Sequence, residues 1–238
     1  MPTPTTPQIN LFFTSKTEGN LAFHVGDHEA DVINNHKLLA KKLNYNIDKL
    51  VYMKQIHSDI VHVLNSSDNF YNPPTCDALV TNKKDTPIMV MVADCSPVLF
   101  YDDTRGVIAV AHAGREGAFK NIVQKTISTM VSEFNSKVKN IYVKIGANID
   151  VCCYEVGKEI YDEGCKLGYK NSFEARDKCY FLDIDKILKK QLMACGIDKN
   201  SIETCGECTC CTTTKYYSYR AEKNTGRFSG VIYLKNDI

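Results

Sequence analysis

Apolar residues recur along this chain in two rhythms. Over residues 29–43 (EADVINNHKLLAKKL), Val32, Leu38, Leu39 and Leu43 fall at roughly helical spacing, and Asp48 to Val51 then leads into an extended segment. Residues 49–56, 59–64, 88–93, 106–111 and 141–146 are short runs rich in Val, Ile, Met and Tyr, bounded by polar or turn residues, as buried or half-buried strands are. The clearest helical stripe lies at about 117–134, where Ala118, Ile122, Ile127, Met130, Val131 and Phe134 recur on one side. Residues 155–167 and 184–195 repeat that pattern more weakly, and KYYSYR (215–220) and GVIYL (230–234) return the chain to strand.

Helices and strands alternate without strict βαβ regularity, and the chain ends in strands. That order predicts an α/β (α+β) fold with mixed sheets rather than a purely parallel, doubly wound one. With no internal repeat and no linker, residues 1–238 are expected to form a single complex domain.

Composition narrows the partners. A hydrophobic content of 44% is ample for a core, while 29 Lys and Arg against 28 Asp and Glu leave a formal charge of +1 and no electrostatic reason to expect nucleic acid or a membrane surface. The opening MPTPTTPQIN has neither a basic stretch nor an apolar one, and no apolar run approaches a membrane span, so a cytoplasmic protein is expected. Eleven cysteines, an odd number in a reducing compartment, read as thiols or ligands rather than a disulfide framework.

Three candidate ligands each follow an apolar strand: His57 after VYMKQI, Cys95 after IMVMVAD, and His112 after GVIAVA. A thiolate with two imidazoles suits zinc, and three protein ligands leave a fourth tetrahedral position open, as catalytic sites require. Taken singly, each has a blander reading, since free cysteines are usually small buried hydrophobes and lone histidines usually structural. A second cluster, CGECTCC at 205–211, has CxxC spacings, but no second ligand pair stands at the usual distance, so these are expected to be incidental thiols in a turn.

Blocks along nearly the whole chain carry a resemblance: HVGD (24–27), KQIHSDIV (54–61), CDALVTN (76–82), ADCSPVLFYD (93–102), HAGREG (112–117), IGANID with CYEVG (145–157), and CTCC, SYR and TGR between 208 and 227. In order and spacing they resemble the bacterial family once called multicopper polyphenol oxidases or laccases, now described as purine nucleoside phosphorylases and adenosine deaminases. The resemblance implies stacked sheets flanked by helices, one catalytic zinc on His57, Cys95 and His112, and purine nucleosides and phosphate as partners. The implied reactions are deamination of adenosine and phosphorolysis of adenosine, inosine, guanosine and methylthioadenosine.

One loop departs from the family's usual HAGWRG: here Arg115 takes the Trp position and Glu116 the Arg position. An anion beside an incoming phosphate favours deamination over phosphorolysis, and Arg115, Arg220 and Arg227 become the candidate substrate contacts. Other readings stand beside this one. Histidines at 24, 28, 36, 57, 62 and 112, none in an HxH pair, cannot build a multicopper cluster, although a single adventitious copper at the His57/Cys95/His112 site could produce weak oxidase activity, which leaves a copper-dependent polyphenol oxidase as an alternative. Cys95 could instead be the nucleophile of a cysteine hydrolase, or the metal could staple a protein that edits cell-wall precursors.

Overall fold

The computed structural model describes residues 8–235. In chain order, β1 (Gln8–Phe13) precedes α1 (Glu29–Leu43), then β2 (Val61–Val63), β3 (Ala78–Thr81), β4 (Ile88–Val92), β5 (Ser96–Asp102) and β6 (Val107–Ala113). Two helices, α2 (Arg115–Phe119) and α3 (Ile122–Phe134), lead to β7 (Ile141–Ile145), β8 (Glu155–Val156) and α4 (Lys158–Lys166). The remainder is β9 (Phe173–Arg176), β10 (Cys179–Leu182), α5 (Ile184–Ala194), β11 (Ile202–Thr204), α6 (Tyr219–Glu222) and β12 (Phe228–Lys235).

Among the described residues the result is a mixed α/β fold with three sheets, ordered β11-β7-β5-β6-β3-β2, β1-β12-β4 and β8-β10-β9. Alternation of side chains along each strand shows how the first two stack. On β6, Val107, Ala109, Ala111 and Ala113 join a core with Ile122, Val123 and Ile127 of α3 and Ile187 of α5, while Ile108 and Val110 face the other way. There they meet Val90 and Val92 of β4 and Ile232 of β12. The opposite face of β4 sends Met89 and Met91 to Leu39 of α1. Both sheets are thus covered on both faces, which is why β4 is apolar throughout and β6 apolar but for His112.

Several expectations are corrected. Helix α1 has the expected bounds, but it buries Val32, His36, Leu39 and Ala40 and leaves Leu38 exposed. The 117–134 helix is two, because Asn121 takes a left-handed backbone (φ 63°) that ends α2 and starts α3 in a new direction. Lys49 ends a 3-10 turn, and residues 50–56 are extended but make only isolated bridges, Val51 to Ile88 and Lys54 to Thr75. The 155–167 segment begins as strand β8, and KYYSYR is turn followed by α6, with the Ser218 side chain accepting from the Ala221 amide. Among the described residues no helix is long and apolar enough to cross a membrane.

Candidate functional site

Sheet register brings the candidate ligands together. Strand β6 runs antiparallel to both β5 and β3, so its final residues stand beside the first residues of its neighbours: Pro97 opposite His112, and Ala78 opposite Ala111. Cys95 immediately precedes β5 and Asp77 immediately precedes β3. One end of β6 therefore gathers His112, Cys95 and Asp77, although up to 35 residues separate them along the chain.

His57 arrives from a loop that Asp77 organises. The fully buried Asp77 carboxylate accepts the amides of Ile56 (3.3 Å), His57 (3.1 Å) and Ser58 (2.6 Å), the Ser58 hydroxyl (2.6 Å) and Nδ1–H of His112 (2.8 Å). These bonds hold His57 at φ 57°, a left-handed conformation that costs a non-glycine residue about 1–3 kcal/mol and persists only where its surroundings impose it. The rings of His57 and His112 lie 4.8 Å apart between centroids. Ligand atoms of His57, Cys95 and His112 all fall within 4.8 Å of one another.

Electrostatics tie Cys95, His112 and Asp77 into one charged cluster, in which a metal would take Nε2 of His112 by displacing its proton. Burial would push the Cys95 thiol up, but the His112 charge and hydrogen bonds to both imidazoles bring it down to about 6, so it is a thiolate at neutral pH. Burial opposes the charge on His112 too, yet Cys95 and Asp77 raise it to about 9. Asp77, penalised by burial, is held at about 2 by His112 and Ser58. Because Nδ1 of His112 is occupied by Asp77, Nε2 is the nitrogen left for a ligand, an arrangement that fixes the tautomer of metal-binding histidines. A thiolate and two imidazoles so arranged fit a zinc-class divalent ion. Packing around them is tight: a Cβ on Gly114 would sit 2.7 Å from Cys95 Sγ.

The group lies in a cavity of about 780 Å³ whose wall includes Phe23, Tyr154, Ile184, Arg115, Arg220 and Arg227. All three predicted arginines are present, in different circumstances. Arg115 faces Glu116 (3.2 Å) and Glu163 (3.6 Å). Arg220 donates to the carbonyls of Cys153 (3.0 Å) and Glu155 (2.9 Å). Arg227, half-buried, donates from Nη1 alone, to the carbonyls of Thr225 and Gly226, and has no carboxylate partner among the described residues. Glu116, expected to confront phosphate, instead directs its carboxylate at Arg115 and Lys120 and is not part of the cavity wall.

Sequence reasoning did not single out Asp77 or Asp94. Asp94 (φ 87°) accepts the Thr209 hydroxyl (2.6 Å) and the Arg220 amide (2.6 Å), which ties the Cys95 turn to α6. Both lie inside the CDALVTN and ADC blocks that carry the resemblance.

A family model described as multi-copper polyphenol oxidoreductase laccase matches residues 13–235. The chain belongs to that family. A purine nucleoside phosphorylase of Corynebacterium glutamicum is 35% identical over 98% of both chains, and one of Clostridium acetobutylicum is 35% identical over 96% of this chain and 93% of its own. The crystal structure of the hypothetical protein YfiH of Bacillus licheniformis shares the fold, with TM-score 0.91 and 29% identity, covering 95% of this chain and 93% of that one. The laccase description and the ligand set differ. Among the described residues only His57 and His112 share a metal-ligand group; His24 lines the cavity outside that group, His36 packs among aromatic rings and His62 bonds Asp68.

Proposed function

We propose that this chain is a metal-dependent purine nucleoside enzyme, with His57, Cys95 and His112 as ligands of a zinc ion, and copper as the alternative occupant. The observation that carries this reading is the donor group itself: a thiolate and two imidazoles, one locked in its tautomer by Asp77, at the wall of a cavity lined by aromatic and arginine side chains. The names of the two relatives support the nucleoside as substrate. When bound, the metal supplies Lewis acidity at the cavity wall.

The chain's own residues do the rest. Phe23 and Tyr154 offer faces for a planar purine. Burial pushes the Tyr154 phenol up to about 12, so it stays protonated and donates a hydrogen bond to a ring nitrogen or ribose oxygen. Arg227, with its unshared nitrogens, holds phosphate against C1′ of the ribose, so the glycosidic bond breaks as the new C–O bond forms and the electron pair leaves with the purine. Adenosine deamination at the same site needs water in place of phosphate. With Glu116 turned onto Arg115 and Lys120, its charge no longer argues against phosphorolysis, and we propose both reactions.

The test is to incubate zinc-loaded protein with adenosine, inosine and methylthioadenosine, with and without phosphate, and separate the products chromatographically. Inosine from adenosine and phosphate-dependent free bases are expected; no turnover by the loaded protein would refute the reading.

A further inference from the structure

We infer a second metal site, a closed tetrathiolate centre formed by Cys152, Cys153, Cys208 and Cys211, which takes a zinc-class divalent cation and braces one wall of the cavity. The reading of the 205–211 cysteines as incidental thiols rested on a missing second pair. The structure supplies that pair from 55 residues or more upstream: the four sulfur atoms all lie within 4.8 Å of one another.

Topology explains the meeting. Strands β7 and β11 are parallel neighbours, Ile145 opposite Thr204, so the segments that follow them emerge at the same edge of the sheet. One passes through Gly146 to Asp150 into the turn holding Cys152 and Cys153; the other carries Cys208 and Cys211. The two stay paired beyond the strands, with the Cys205 amide donating to Ile145 O and the Thr209 amide to Asn148 O. Neither segment signals the other in sequence, because parallel pairing carries no local mark.

Distances and donors fit a tetrahedral shell. Sγ of Cys211 lies 3.6 Å from that of Cys152 and 3.4 Å from that of Cys153, and those of Cys152 and Cys153 are 3.6 Å apart. Four sulfurs at the usual zinc–thiolate length of about 2.3 Å would be separated by roughly 3.8 Å, far beyond a disulfide bond of about 2.05 Å. Cys208 is the buried corner, and its sulfur accepts the Asp150 amide at 3.4 Å, a contact suited to a thiolate. Cys152 and Cys211 are exposed, which gives a cation a way in. Cys205 stands apart, against Glu207.

The centre is coupled to the cavity through hydrogen bonds already described. Arg220 grips the carbonyl of Cys153, Thr209 beside Cys208 grips Asp94, and Tyr154 follows Cys153 directly. Four thiolates leave no open position, so the centre's role is to hold these wall residues rather than to react.

The proposal does not depend on the nucleoside reading. The full chain is purified without chelator, loaded with zinc, freed of excess by gel filtration, and its metal counted. Wild type should carry two zinc ions, and the double variant His57→Ala with Cys95→Ser should carry one. X-ray absorption on that variant should show a shell of about four sulfurs at about 2.3 Å, and cobalt substitution should give an intense thiolate charge-transfer band. Cys152→Ser with Cys208→Ser should drop the wild-type count from two to one. A His57→Ala, Cys95→Ser protein that holds no zinc, or holds it through nitrogen or oxygen donors, would overturn the proposal without any variant of the four cysteines having to fold.

Discussion

Asp77 Oδ1 lies 2.8 Å from His112 Nδ1, and the same oxygen accepts the His57 amide at 3.1 Å. A single buried carboxylate thus sets both the tautomer of one imidazole and the backbone of the other. Replacing Asp77 with Asn turns an acceptor into a donor facing other donors. Metal affinity at the His57/Cys95/His112 site should fall about 10- to 100-fold, and stability by about 1–3 kcal/mol. Competition with a chromophoric chelator and denaturant titration measure the two; unchanged affinity would show that Asp77 does not orient the ligands.

Gly114 offers a purely steric test, because its φ of −75° suits any residue. In Gly114→Ala the new methyl carbon meets Cys95 Sγ at 2.7 Å and must displace it. Metal bound at this site should drop sharply while urea unfolding of the metal-free protein changes little. Full metal content in the variant would mean that the thiolate has room to spare.

His36 links the fold to pH. It is fully buried, Nε2–H donates to Leu21 O at 2.8 Å, and Phe23 stacks on the ring at 5.6 Å. Nδ1 has no hydrogen-bond partner among the described residues, so a proton there would be a buried, uncompensated charge, and burial lowers the pKa to about 4. The unfolded chain binds this proton near 6.5. The unfolded state therefore holds more protons between those values, and stability falls as pH drops from about 6.5 to about 4, by roughly 3 kcal/mol. Urea titrations across that range should show the slope, and His36→Gln should flatten it by about one proton. An identical slope in the variant would remove His36 as the cause.

Much of this was legible in the sequence, for physical reasons. The ligands could be found because each stands at or beyond an apolar run, Cys95 after β4, His112 near the end of β6's apolar stretch and His57 after the extended 50–56 segment, and strands β4, β6 and β7 stood out because burial on one or both faces makes them apolar. Strand β5 was not found, since Ser96 and Pro97 open it as a turn would. The 117–134 stripe continued across a break that depends on one backbone angle at Asn121. Asp77 reads as an ordinary acid in CDALVTN because burial of a carboxylate follows from its donors, which come from the 56–58 loop and His112. The Cys152–Cys153 pair was invisible as a partner because only the parallel pairing of β7 with β11 brings it to Cys208 and Cys211.

Among the described residues Arg227 leaves Nη2 as well as Nε without a hydrogen-bond partner and pairs with no carboxylate, so it should be the residue that phosphate needs. Arg227→Ala should lower phosphorolysis by about 10- to 150-fold, the loss of one charge-assisted hydrogen bond, chiefly through KM for phosphate. Metal content should not change. If deamination and phosphorolysis fell together, Arg227 would be holding the nucleoside or the fold rather than the anion.

The proposed role of His57, Cys95 and His112 in purine nucleoside chemistry can be read from product formation in wild type and Cys95→Ser side by side. Each is loaded with zinc and given inosine and phosphate, and ribose 1-phosphate is read by phosphorus NMR beside hypoxanthine by chromatography. Wild type should give equal amounts of the two products, and Cys95→Ser neither above background. Comparable product from both proteins, or hypoxanthine without ribose 1-phosphate from wild type, would contradict that role.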